Sequence, residues 1–296
     1  FLLRNGRGAA FADIQPLSDA PYLVAVELDD QGAESRIHLA APVDLNDLEA
    51  HFGEQMHEET LIAWDRSAQA VRARRRQRLG ALLLREAPVT DPSPEAALAA
   101  LLQGIAEEGL HILPWSKAAR QLQERMQFMH WFEEGWPDVS DQALMATLAD
   151  WLGPHLFGLK SRDDLQRLRP GEILEAMVPW EQRRYLDEGA PTHVSVPSGS
   201  RIPIDYSDPD APVLAVRLQE MFGLADTPRI AHGRVPLTLH LLSPAHRPVQ
   251  VTRDLASFWR TAYFEVRKDL RGRYPKHYWP EDPTTAIPTN RTRPRS

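Results

Sequence analysis

The sequence has no cysteine, which excludes disulfides and every metal centre built on thiolates and fits a reducing compartment, the cytoplasm. Lysine is also scarce. It occurs only at Lys117, Lys160, Lys268 and Lys276, and none of these follows a glycine. A phosphate-cradling loop of the form G-x-x-x-x-G-K-[ST] needs that Gly-Lys step, so the chain has no such nucleotide loop. Asp187-Glu188 runs on into Gly189-Ala190, which leaves no Asp-Glu-x-His box. The 11 histidines contain no H-x-x-x-H or H-E-x-x-H pair, which excludes the common helical zinc site. Pro197-Ser198-Gly199-Ser200 lacks the G-x-S-x-G elbow and reads as a hairpin turn. The paired acids Glu107-Glu108 and Asp163-Asp164 sit at helix ends, where solvent or the helix dipole accounts for them. No apolar run approaches the roughly 20 residues of a membrane span, and no secretory leader pattern opens the chain. A self-contained active site, a bound cofactor and a metal are not expected.

What is present is ordinary globular material with an uneven charge. The chain has 296 residues, 43% apolar and 25% charged, enough for two domains at about 150 residues each. Net charge is −7, yet residues 247–296 hold eleven Lys or Arg against five Asp or Glu. The end is therefore +6 and the body −13. A basic end on an acidic body points to a polyanionic partner, of which nucleic acid is the commonest.

The fold class expected is α+β. Residues 1–88 read as strands, at Tyr22–Leu28, Arg36–Ala40, about 69–78 and about 79–86, with a short helix at 44–53 capped by Asp44. Five short strands and one helix suit a small Greek-key barrel of the oligonucleotide-binding (OB) type. The three prolines of Ala87–Pro94 break the chain. Residues 89–190 then read as helices: 94–108, 116–134 capped by Ser116, 140–152, 161–168, and 171–188 broken at Pro179. Residues 191–283 return to mixed structure, with strands at His193–Val196, Arg201–Tyr206, Leu237–Leu242 and Pro248–Val251 and a helical turn at Val216–Phe222. Pro203 and Pro236 argue for edge positions. A final helix spans Arg253–Leu270 with Thr252 as its cap, and residues 284–296 form a basic tail expected to be disordered.

Two basic patterns stand out. In the run Arg72-Ala73-Arg74-Arg75-Arg76-Gln77-Arg78, a strand would place Arg72, Arg74, Arg76 and Arg78 on one face, about 6.6–6.8 Å apart. That spacing suits successive phosphates of a single strand. The alternative is a solvated charged face paired with Glu27, Asp29 and Asp30. The loop Arg4-Asn5-Gly6-Arg7-Gly8 pairs two arginines with glycines that allow close backbone approach; it is equally readable as a plain turn. On the final helix, Leu255, Phe258, Trp259, Ala262, Val266 and Leu270 form an apolar face, with Arg260, Arg267, Lys268 and Arg271 opposite as a secondary basic face. The following Arg273–Pro280 segment has rings that could stack bases, or that pack back and pin the terminus.

The segment GRVPLTLHLLSPAHRPVQVTRDLASFWRTAYFEVRKDLRGRYPKHYWPEDP (residues 233–283), together with FLLRNGRGAAF and VRARRRQRLGALLL, resembles the C-terminal region of the HrpB family of bacterial DEAH-type ATP-dependent RNA helicases. The resemblance implies a C-terminal piece of a larger enzyme, non-catalytic in itself. ATP and Mg would bind to motor domains outside this chain. It also implies that the OB-like domain contacts single-stranded RNA, with the Arg4–Gly8 loop facing the RNA channel, and braces the motor of the same protein. Another reading makes the chain a protein-docking module. The acidic body and the anchors Trp115, Trp131, Trp136 and Trp151 favour that.

Overall fold

A computed structural model describes residues 1–29 and 34–294; Asp30, one of the expected arginine partners, lies outside them, as do the last two residues of the tail. The chain divides into two compact units, Phe1–Glu108 with Leu156–Leu165, and Gly109–His155 with Gln166–Ser296.

In the first unit β1 (Ala9–Phe11), β2 (Leu23–Asp29) and β3 (Ser35–Pro42) form a sheet in the order β1-β3-β2. α1 (Leu45–Phe52) follows, its first turn capped as expected by the Asp44 carboxylate, which accepts from the Asp47 amide at 2.9 Å. β4 (Met56–Asp65), β5 (Ala70–Leu79) and β6 (Leu82–Pro88) form a second, antiparallel sheet with β5 central. Leu48, Leu79 and Leu84 make its core, with Tyr22, Phe52 and Met56 packed around them. α2 (Pro94–Glu108) lies against β4 and β5 and needs Gly104, because a Cβ there would sit 2.4 Å from the Trp64 ring. A short helical turn, α6 (Arg162–Leu165), lies further along the chain but belongs to this unit by contact; Arg162 bonds the Gln69 side chain at 2.9 Å.

The expected closed barrel is not what forms. Two separate three-stranded sheets stand in its place, and among the described residues no strand pairing joins them. Closure requires a continuous ring of ladders; β1 has three residues, and β2 is interrupted by irregular register at Ala25/Glu27 and Glu27/Leu28. β4 also escaped the sequence reading, because His57-Glu58-Glu59-Thr60 hides the alternation that marks a half-buried strand.

In the second unit α3 (Lys117–Phe132) has the expected cap, Ser116 accepting from the Ala119 amide at 3.1 Å. The helix expected over 140–152 splits into α4 (Asp141–Ala146) and α5 (Leu148–Trp151). At the junction the Thr147 hydroxyl donates to the Ala143 carbonyl at 2.8 Å, the back-bonding that bends helices. α7 (Pro170–Ala176) and α8 (Trp180–Gly189) break at Pro179 and pack on α3. Buried Arg125 of α3 donates to the carbonyls of Ala190 and Leu186 and to Asp187, closing the end of α8.

Beside the helices β7 (His193–Ser195), β8 (Arg201–Asp205), β9 (Val213–Arg217), β12 (Thr238–Leu242) and β13 (Pro248–Thr252) form a sheet in the order β13-β12-β9-β8-β7, with β9 and β12 parallel. A ribbon of β10 (Arg229–Ile230) and β11 (Val235–Pro236) stands apart. Central β9 was not foreseen. In its Val-Leu-Ala-Val run Leu214 and Val216 are buried and Ala215 is exposed, but all four residues are apolar, so the sequence shows no polar alternation. The helical turn expected at Val216–Phe222 shrinks to a 3-10 turn at Leu218–Glu220. The last helix is two, α9 (Leu255–Arg260) and α10 (Tyr263–Arg273), capped by Asp254 rather than Thr252. The tail, expected to be disordered, is held as far as Arg293. Thr289 N donates to Gln219 O at 3.0 Å, Arg217 donates to Asn290 O at 3.0 Å, and Ala286 and Thr289 are buried.

Candidate nucleic-acid interface

β5 runs at the centre of its sheet and sorts its residues by period 2. Val71, Ala73 and Leu79 are buried on one side, while Arg72, Arg74, Arg76 and Arg78 share the other. The four-arginine face predicted from the sequence is therefore present. Its surroundings were not foreseen. Arg74 meets Glu86 at 2.9 Å and Asp65 at 3.5 Å, Arg76 meets Glu86 at 2.6 Å, and Arg78 meets Glu59 at 2.7 Å. These carboxylates come from the flanking strands, through the pairs Glu59↔Arg76 and Arg76↔Glu86 and from the β4 end. Glu27 and Asp29 sit on β2, in the other sheet. The Arg76 hydrogen bond, aided by the Arg74 charge, holds the Glu86 carboxyl below its ordinary value. Asp65 is also lowered, first by Ser67 and the Ala68 amide and only last by Arg74. Arg72 is exposed and makes no ion pair with any described residue. The face thus presents one open guanidinium and three that are held in fixed orientation by acids.

The front loop is a tight turn with Gly6 at φ +88. Arg4 donates to Gln55 Oε1 at 2.6 Å and lies over the Phe52 ring at 5.9 Å, while its carbonyl accepts from Ala81 N. Gly80, at φ +58, is required there, since a Cβ would come within 2.4 Å of that carbonyl. Arg7 is half-buried, its amide bonded to Asn5 Oδ1 at 3.0 Å. The loop therefore packs against its own unit, and the amides of Gly6 and Arg7 are spent internally, on Leu3 O and Asn5 Oδ1.

On α9 and α10 the apolar face is core, with Leu255, Phe258, Trp259, Tyr263 and Leu270 buried. The break at Thr261-Ala262 resets the helical phase, so the secondary basic face is not one stripe. Arg267 turns inward to Trp279 O at 3.2 Å and to Glu281 at 3.7 Å, while Arg260, Lys268 and Arg271 stay exposed. The Arg273–Pro280 rings pack back. Trp279 is buried with its indole on Tyr274 O at 2.9 Å, and Tyr278 meets Phe222 edge-on at 6.1 Å. Of the tryptophan anchors, Trp136 and Trp151 are core, Trp115 lies under the Arg120 guanidinium at 3.9 Å, and Trp131 is exposed.

Charge is distributed against simple expectation. The first unit holds twelve Lys or Arg and twenty Asp or Glu, the second twenty-two and twenty-one. The arginine face is thus a local feature of an acidic unit. Among the described residues no cluster of three acidic, His or Cys side chains could hold a metal, and no helix is long and apolar enough to cross a membrane.

Known proteins share much of this chain. Residues 55–89, which contain the whole β4-β5-β6 sheet, match the connector region of the ATP-dependent RNA helicase HrpB. Residues 151–283 match the ATP-dependent helicase C-terminal family. The chain is 42% identical over 297 residues to the ATP-dependent RNA helicase HrpB of Escherichia coli strain K12, covering 99% of this chain and 37% of that relative. A crystal structure of the E. coli DExH-box NTPase HrpB superposes with a TM-score of 0.65 at 41% identity, over 98% of this chain and 36% of that one. A crystal structure of the E. coli DEAH/RHA helicase HrpB gives 0.56 at 37% identity, over 94% and 35%. The chain thus spans little more than a third of the length of these relatives.

Proposed function

Starting from a chain that resembles the C-terminal part of the HrpB helicases, we propose that it is a non-catalytic accessory region of an ATP-dependent RNA helicase. It contacts single-stranded nucleic acid electrostatically and braces motor domains that bind ATP and Mg elsewhere in the protein. The observation that carries this reading is the arginine face of β5, inside the connector match, with Arg74, Arg76 and Arg78 pre-oriented by Glu59, Asp65 and Glu86. Pre-orientation lowers the side-chain entropy lost when a phosphate arrives. An approaching phosphate must, however, share those guanidinium groups with the carboxylates. Arg72 then makes the first contact, and the paired arginines contribute less than free ones would. Arg4 and Arg7 are secondary contributors, as are Arg260, Lys268 and Arg271 of the second unit.

The test is single-stranded RNA binding by the full helicase carrying Arg72→Gln, Arg74→Gln, Arg76→Gln and Arg78→Gln together. The logarithmic salt slope is expected to fall by about 0.7 for each phosphate that is no longer neutralised. An unchanged affinity and slope would remove the arginine face from the mechanism. A docking role is favoured by a separate observation: the first unit carries eight more acids than bases and exposes Val24, Val26, Leu39 and Leu61, a surface better suited to protein than to RNA.

A further inference from the structure

The first unit contains a groove of about 760 Å³ lined almost wholly by apolar side chains of residues 1–83. Leu48 and Leu79 form its floor, and Phe1, Leu2, Val24, Leu28 and Leu83 stand around it with 39–52% of their surface exposed. Arg4 and Asn5 are the only lining side chains with a charge or an amide. Beside the groove runs β2, which pairs only with β3 among the described residues and so forms one edge of its sheet. An exposed apolar groove next to a free strand edge is the arrangement that takes an added strand: backbone bonds supply affinity, and pockets for alternate side chains supply selectivity. Left uncovered, such an edge would template aggregation.

We propose that this groove seats an extended apolar segment, flanked by basic residues, from the motor part of the helicase, which pairs with β2 and completes the sheet that the chain alone leaves open. The inference rests on the reading that the chain works joined to a motor. Three observations select that occupant. The chain covers 37% of its E. coli relative, so in such a protein the remainder is tethered at high effective concentration. The unit has twelve bases against twenty acids, which attracts a basic segment and repels a second copy. The groove walls offer RNA a single guanidinium, Arg4, which is already bonded to Gln55.

The test is amide hydrogen exchange over Leu23–Asp29, read in the 296-residue chain and in the full helicase. The proposal predicts exchange at least tenfold slower in the full helicase, independent of protein concentration and of added RNA. The double variant Val24→Glu with Leu83→Glu should abolish that protection in the full helicase. Both residues are exposed, so the melting temperature of the 296-residue chain should stay the same. Equal exchange in the two proteins overturns the proposal. So does protection that disappears on dilution, which marks a second copy, or protection that appears only with RNA. RNA-stimulated ATP turnover of the full helicase is measured alongside. Its absence counts against the motor reading, whereas turnover with unprotected β2 counts against this groove assignment alone.

Discussion

Single side chains set the conditions under which these sheets and helices persist. Gly104 lets α2 approach Trp64, so Gly104→Ala should destabilise the first unit by about 1–3 kcal/mol, the usual cost of forcing atoms into a packed core. A shift of the urea midpoint at constant slope checks it. In the second unit, Arg125→Met leaves the Ala190 carbonyl without the Arg125 donor, while Leu186 O keeps the Ala190 amide, at an expected cost of about 1–3 kcal/mol, read from the urea midpoint. Glu220 sits buried beside the Ser198 turn. Burial alone would raise its carboxyl, but hydrogen bonds from Ser200, Ser198 and Arg217 outweigh it and hold it below the ordinary value. The unfolded chain therefore binds a proton that the folded chain refuses. The stability from Glu220 is present at neutral pH and is lost as pH falls below about 4.3 through the folded value. Glu220→Gln should flatten the stability profile between pH 5 and pH 3 relative to the parent chain; parallel profiles would show that Glu220 contributes nothing there.

Elements decide whether the arginines act together. Glu86 occupies both Arg74 and Arg76. If β5 grips phosphates, Glu86→Gln should tighten RNA binding and steepen the salt slope by about 0.7 for each arginine released to a phosphate. If the face is only a solvated charge array, the substitution changes stability and leaves RNA affinity alone. The arginine periodicity was legible in the sequence because a strand repeats every two residues and Ala73 marks the inner face. Its partners were not, since Glu59 and Glu86 are neighbours through cross-strand register, and β4 itself was hidden by its charged outer positions. The helices were legible where caps and breakers act locally, at Asp44, Ser116, Gly109 and Pro179. They were misjudged where a single threonine or a short kink intervenes, as at Thr147 and Thr261. Central β9 was missed because its outward position is apolar Ala215, so the sequence shows no polar alternation although Leu214 and Val216 are buried and Ala215 is exposed.

At the scale of the whole chain, the similarity to the HrpB helicases spans little more than a third of those relatives. The composition suggests a basic end on an acidic body, whereas the two units divide the charge differently, with the excess of acids in the first and near balance in the second. The OB expectation captured a β-rich front but not its topology, because barrel closure depends on strand pairings that no local pattern encodes. The tail illustrates the same limit. Its composition reads as disordered, yet Thr289 and Asn290 are held by groups of distant residues and Ala286 is buried. The most direct measurement is a salt titration of a labelled single-stranded RNA against the 296-residue chain, with ATP turnover followed in the same samples. The account predicts binding that weakens as salt rises, a shallower slope when Arg72, Arg74, Arg76 and Arg78 are all Gln, and no ATP turnover. ATP hydrolysis by the chain alone, or RNA binding indifferent to those four arginines, would contradict it.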